Sequence, residues 1–307
     1  LRPEATIIVL RRSQSEPNEA EKLADFVVYN LNDALRHQLD AAIIASPAPF
    51  HISIAHELAS NGVNLLIEKT LAASFDGVET FLNFCQENKV MVLIGYTLRF
   101  NLALQQIKKA LSEQLIGRPL YFRAEVGQYL PDWRPQQDYR ETVTAQKRLG
   151  GGVILELSHE LDYAFWLMGP ITSVSAIAQK ISDLEIDVED MAEVNLIFES
   201  GVFGSVHLDM VQRSTTRKCH IVGSEGTLYW DGLANRAWAE FSDGSSQIIF
   251  EKNLSERNDM YLAQMEHFLA CLSGQDNPVV TGIDAAHVLK VVLTAKQSSQ
   301  EGRLISL

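Results

Sequence analysis

Five short apolar runs rich in β-branched residues fall in the first third of the chain, at residues 6–10, 26–29, 41–45, 63–68 and 90–95. Helical or turn-forming stretches separate them. Helix is expected at residues 17–25, in a short turn capped by Asn32 and ending near Arg36, at His51–Ser60 closed by Asn61-Gly62, and at residues 75–88. Strands of this length alternating with helices mean βαβ units, and such units build a parallel, doubly wound sheet. Residues 1–97 are assigned to that α/β unit.

The fourth run says most about function. Val63-Asn64-Leu65-Leu66-Ile67-Glu68-Lys69-Thr70 reads as a buried strand that stops abruptly at an acid and a base. In open α/β sheets, ligands gather in the crevice beyond the carboxyl ends of the strands, so Lys69 stands where a substrate or cofactor would bind. The competing reading is a solvated strand end, where Lys and Glu are common. The third run stops in a similar way at Ser46-Pro47-Ala48-Pro49, and His51 opens the helix that follows.

A dinucleotide-binding sheet opens with a strand, a Gly-x-Gly-x-x-Gly turn and a helix. No such glycine pattern occurs in these 307 residues, and the first run leads directly into Arg11-Arg12-Ser13. The natural protein is therefore expected to carry roughly 25 to 30 residues before Leu1, the size of one such unit. After the second strand of these sheets an acid usually accepts the ribose 2′-hydroxyl. Here the position is basic, with no acid until Glu16. A guanidinium pairs with a 2′-phosphate, and Ser13 adds a hydroxyl, so NADP is expected over NAD. The alternative is that Arg11 and Arg12 are solvated or stack on the adenine.

From residue 98 the pattern changes. A helix from about Leu102 to Gln114 precedes a strand at 120–126 and a long aromatic, charged loop at 127–148. Loops of that length are usually functional or disordered. Gly150-Gly151-Gly152 then opens a helix expected from Val153 to Met168. Strands follow at 171–180, 191–199, 202–209, 216–222, 226–230, 235–241 and 246–250, with Glu199-Ser200-Gly201 and Ser242-Asp243-Gly244 as turns. Two helices and a terminal strand close the chain. Residues 98–307 are thus read as an α+β unit with a large, open, mostly antiparallel sheet.

A formal net charge of −13 argues against a nucleic-acid surface, which wants clustered Lys and Arg. No run approaches the roughly 18 apolar residues of a membrane helix. Cys85, Cys219 and Cys271 lie far apart, without metal spacing, and read as reduced thiols of a cytoplasmic protein.

Glu156, His159 and Asp162 recur at a spacing of three, which puts them on one face of a continuous helix. A carboxylate beside a His fixes its tautomer and raises its basicity, which suits proton transfer near neutral pH. A polar helix face with a satisfied His is the competing reading. A metal site is disfavoured, because His159 has no second His one turn away.

Taken together, Ala45-Ser46-Pro47-Ala48-Pro49-Phe50-His51, Glu68-Lys69-Thr70, Tyr96-Thr97-Leu98-Arg99-Phe100-Asn101, Gly150-Gly151-Gly152 and His159-x-x-Asp162 resemble the glucose–fructose oxidoreductase, inositol dehydrogenase and MocA family of NAD(P)-dependent oxidoreductases. The ordered set spans nearly the whole chain. The resemblance implies an N-terminal Rossmann domain and a C-terminal domain whose open sheet often makes a homodimer or homotetramer. It makes Lys69 and His159 the catalytic pair. The family's usual Glu-Lys-Pro is Glu68-Lys69-Thr70 here, and Leu155 stands where an Asp often precedes the His by four, leaving Glu156 as the candidate third residue.

The resemblance also implies cofactor contacts from Ser46, Pro47, His51, Glu68 and Lys69, and substrate contacts from Arg99 and Asp162. Trp133, Arg134, Tyr139 and Arg140 of the long loop are expected to shape the substrate pocket, the arginines meeting a carboxylate or phosphate. This loop is similar to that of members associated with nonulosonate (sialic acid-like) sugar pathways. The expected function is hydride transfer between a nicotinamide and a carbinol carbon of a sugar-type substrate. The alternative is a catalytically silent sugar or dinucleotide sensor on the same fold.

Overall fold

The computed structural model describes residues 2, 4–11, 19–252 and 258–307. β1 (Ile8–Leu10) and β2 (Phe26–Val28) pair in parallel. β3 (Ala41–Ile44), β4 (Asn64–Glu68) and β5 (Val92–Gly95) form a second parallel sheet in that order, and among the described residues the two sheets share no ladder. α1 (Leu31–Leu35), α2 (His51–Ala59) and α3 (Val78–Glu87) connect these strands. Leu65, Leu66 and Ile67 of β4 are buried on both faces, which is why this strand reads as a continuous apolar run.

Two local expectations are corrected. Asn30, not Asn32, caps α1, because its extended backbone lets the side-chain oxygen accept the Asp33 N–H at 2.9 Å. The helix expected at 17–25 is, among the described residues, only a 3₁₀ turn at Glu19–Leu23.

The second unit is a nine-stranded sheet in the order β13-β12-β11-β10-β6-β9-β8-β7-β14. Its strands are β6 (Pro119–Gly127), β7 (Ile171–Gln179), β8 (Met191–Phe198), β9 (Phe203–Asp209), β10 (Thr216–Gly223), β11 (Gly226–Asp231), β12 (Arg236–Phe241), β13 (Ser246–Glu251) and β14 (Ile305–Ser306). Every neighbouring pair is antiparallel except β6 with β9. Alternation places Phe122, Val194, Leu196, Val206, Ile221 and Trp230 on a buried face. α4 (Leu102–Ser112), α6 (His159–Met168) and α8 (Gly282–Glu301) cover it. Each such side chain contributes about 1.5–3 kcal/mol on burial. α7 (Asn258–Leu272) packs on the Thr97–Phe100 turn, and the Ile94 N–H donates to the Val280 carbonyl at 3.1 Å, joining the units.

The helix expected over 153–168 is broken into α5 (Val153–Glu156) and α6, with Leu157 and Ser158 between them. In a continuous helix the Glu156 carbonyl would accept the Glu160 N–H. Here it accepts a hydrogen bond from Lys69 Nζ at 2.8 Å, and the Glu160 N–H turns to Leu157 O at 3.3 Å.

Two histidines make stability depend on pH in opposite senses. His207 lies between Glu193 (2.6 Å) and Asp209 (3.0 Å), and its hydrogen bond to Asp209, then that to Glu193, raise its pKa from 6.5 to about 9. His287 accepts the Ile171 N–H at 3.1 Å, and burial lowers its pKa. A raised pKa gives stability that is complete below about pH 6.5 and lost as pH climbs through 9, whereas a lowered one gives stability lost as pH falls below 6.5. Burial-lowered His51, His159 and His220 act in the second sense. Thermal unfolding across about pH 5 to 9 should therefore peak near neutrality. His207→Gln should flatten only the alkaline limb and His287→Gln should weaken only the acid limb; limbs unchanged in both variants would refute this.

Candidate active site

The carboxyl end of β4 delivers Lys69 into a crevice between the two units. Its ammonium donates to the Glu156 carbonyl at 2.8 Å and lies 3.2 Å from the Glu156 carboxylate. An ammonium has three N–H donors, so one is left for a ligand. The cavity here, about 130 Å³, is lined in part by Ser46, Pro47, Lys69, Thr70, Gly150 and Glu156. The triple glycine follows from close approach: a Cβ on Gly151 would stand 2.5 Å from the carbonyl oxygens of Val143 and Thr144, and Gly150 has φ +81°.

His159 opens α6, its ring edge-on to Tyr96 at 5.6 Å between centroids. Its Nδ1 is buried with no hydrogen-bond partner among the described residues. Burial, then the charges of Arg217 and Lys69, hold its pKa well below the usual value, so the ring is neutral at neutral pH. The shared face expected for Glu156, His159 and Asp162 does not form, because the helix breaks between the first two. Glu156 turns to Lys69 instead of His159. Asp162 turns to Arg99, with Nε and Nη2 each 2.8 Å from a carboxylate oxygen, and Arg99 also lies over the rings of Trp166 and Phe165. Both members of this pair are buried, so each meets its partner's charge inside the protein.

Ser46 and Pro47 line the crevice, and the Ser46 hydroxyl is buried without a hydrogen-bond partner among the described residues. His51 lies behind the crevice wall, 1% exposed. Glu68 packs against Gly95, and burial raises its pKa.

In the long loop, Trp133 Nε1 donates to Gln128 O at 2.9 Å, and the Tyr139 hydroxyl accepts the Glu185 N–H at 3.2 Å. Arg140 is held by Asp138 and Glu185, so its charge is already matched, while Arg134 is exposed. Arg11 pairs with Glu21 at 3.2 Å. Arg12 and Ser13 lie outside the described residues. Among the described residues no three His, Cys, Asp or Glu side chains gather to hold a metal ion, and no helix is long and apolar enough to cross a membrane.

Near His159, Tyr96 opens the resembling stretch at residues 96–101, whereas Arg217 has no sequence signal: bound to Glu160 at 2.7 and 3.1 Å, it comes from β10, far away in the chain.

Comparison with known proteins agrees with this architecture. Residues 2–96 match the family model described as "Oxidoreductase family, NAD-binding Rossmann fold", and residues 104–229 match the "GFO/IDH/MocA C-terminal domain". The chain is 26% identical over 276 residues to scyllo-inositol 2-dehydrogenase (NAD(+)) of Bacillus subtilis (strain 168), covering 88% of this chain and 78% of that protein. It is 26% identical over 281 residues to myo-inositol 2-dehydrogenase of Thermotoga maritima, covering 88% and 80%. The solved structure of levoglucosan dehydrogenase in complex with NADH shares the fold at a TM-score of 0.88 and 17% identity, covering 98% of this chain and 89% of that one. With an NAD-binding Rossmann unit followed by a C-terminal unit of the same family, the chain belongs to the Gfo/Idh/MocA family of oxidoreductases.

Proposed function

We propose that the protein is an NAD(P)-dependent dehydrogenase acting on a CH–OH carbon of a sugar or sugar derivative. The observation that carries this reading is the placement of Lys69, with a free N–H donor, at the strand-end crevice of an NAD-binding fold. The inositol dehydrogenases to which the chain is similar support it. The residues present fit the nicotinamide end of a cofactor: Ser46 offers an unpartnered hydroxyl and Gly150 keeps the wall low. When bound, the nicotinamide takes the hydride in the oxidative direction and returns it in reverse.

The protein's own residues handle the proton and the charge. Neutral His159 has one unprotonated ring nitrogen, the acceptor for the substrate hydroxyl proton. Lys69 donates its third N–H to the same oxygen and stabilises the negative charge that develops there. Glu156 acts on Lys69, matching its charge and aiming it.

NADP is favoured over NAD by the Arg11-Arg12-Ser13 run after β1. Because Arg11 already meets Glu21, Arg12 and Ser13 carry more of that preference. A homodimer or homotetramer would use the open face of the large sheet, where Tyr229 stacks on Trp238 and Tyr121 on Phe203. We divide the chain after Thr97, a division supported by the end of β5 at Gly95 and the turn at Thr97–Phe100 that follows it.

Both cofactors should be titrated into wild type and Arg11→Ala/Arg12→Ala, and turnover followed with a panel of sugars and polyols. Turnover is expected, with NADP bound more tightly and that advantage lost in the double variant. Cofactor binding with no turnover would favour a sensor, and equal affinity for NAD would overturn the cofactor preference.

A further inference from the structure

His51 is buried, and both of its ring nitrogens face backbone carbonyls: Nδ1 is 2.9 Å from Thr70 O and Nε2 is 2.6 Å from Ser46 O. These oxygens follow different strands. The β3–β4 ladder ends at the pair Ile44 and Ile67, so Ser46 and Thr70 lie beyond the last rung. Ser46, Lys69 and Thr70 nevertheless line the same cavity. The imidazole, carried by the first residue of α2, is thus wedged between the two strand ends where the backbone ladder has stopped, and with one N–H on the neutral ring it donates to one of these carbonyls at a time.

We propose that His51 is a positioning residue: wedged between the carbonyls of Ser46 and Thr70, and donating its one N–H to one of them, it sets the separation of the β3 and β4 ends and thereby the place of the Lys69 ammonium in the crevice. The proposal rests on the dehydrogenase reading for its effect on rate. Lys69 is joined directly to Thr70, so a shift of the Thr70 carbonyl moves it away from the Glu156 carbonyl and carboxylate that aim its third donor. A displacement of about 1 Å at a reacting group can cost about 10²-fold in rate.

Two variants separate positioning from a purely structural role. The amide of His51→Asn sits where Nδ1 does and keeps only the Thr70 contact. That of His51→Gln reaches toward the Nε2 position and keeps only the Ser46 contact. In the folded protein, checked by near-ultraviolet circular dichroism, each should lose up to about 10²-fold in kcat with little change in KM. Reductive methylation of Lys69, quantified by mass spectrometry, should quicken severalfold in both, since the ammonium is no longer held.

Activity that falls only as far as the folded fraction, with wild-type labelling of Lys69, would overturn the proposal. So would wild-type kcat with wild-type labelling. If the wild type turns over no sugar, the dehydrogenase reading fails, and the labelling rate alone still decides whether His51 positions Lys69.

Discussion

Lys69→Ala should cut kcat by about 10²–10³-fold and leave the protein folded. The side chain is 17% exposed and its Glu156 partner 22%, so water reaches the carbonyl and carboxylate left behind. A pair so close to solvent contributes only about 0–1 kcal/mol to stability. The chemical loss is larger, because removing one donor aimed at developing negative charge costs about 10²–10³-fold in kcat. His159→Ala should lose about 10²–10⁴-fold, the usual size of general acid–base catalysis. Steady-state kinetics on both variants checks this: wild-type kcat in Lys69→Ala would remove the residue from the mechanism. A loss confined to KM in His159→Ala would make that residue a binding group instead.

The largest stability effect is expected at Arg99 and Asp162. Their side chains are 4% and 0% exposed and meet through two hydrogen bonds of 2.8 Å. Removing one partner strands a charge without water, so Arg99→Met or Asp162→Leu should cost about 3–5 kcal/mol. The double variant should recover much of that loss, because an apolar pair of similar volume avoids burying a lone charge. Denaturant unfolding measures all three. Single variants within about 1 kcal/mol of wild type, but with a raised sugar KM, would refute the structural reading and support the substrate role expected from the sequence.

Much of the fold was legible because its determinants are local. The period of the apolar runs gave the strands β1 to β13 within a few residues, and turn chemistry such as Glu199-Ser200-Gly201 marked their ends. The buried strand stopping at Glu68-Lys69 showed where the crevice would lie, since ligand position in an open parallel sheet follows from strand direction.

What the sequence determined by itself, then, was the order of elements, the parallel pairing of the first unit, the mostly antiparallel pairing of the second and the strand end that carries Lys69. The partners of the charged groups were settled only by tertiary structure. Spacing of three promised one helical face for Glu156, His159 and Asp162, yet Lys69, 87 positions from Glu156, takes the carbonyl that would have continued the helix. Arg99, 63 positions from Asp162, draws that carboxylate into the core. His51, expected to contact the cofactor, is buried with its ring nitrogens 2.9 and 2.6 Å from the carbonyls of Thr70 and Ser46. Periodicity fixes which face a residue occupies within its own element, whereas a buried charge takes whichever donor or acceptor the packing brings within about 3 Å.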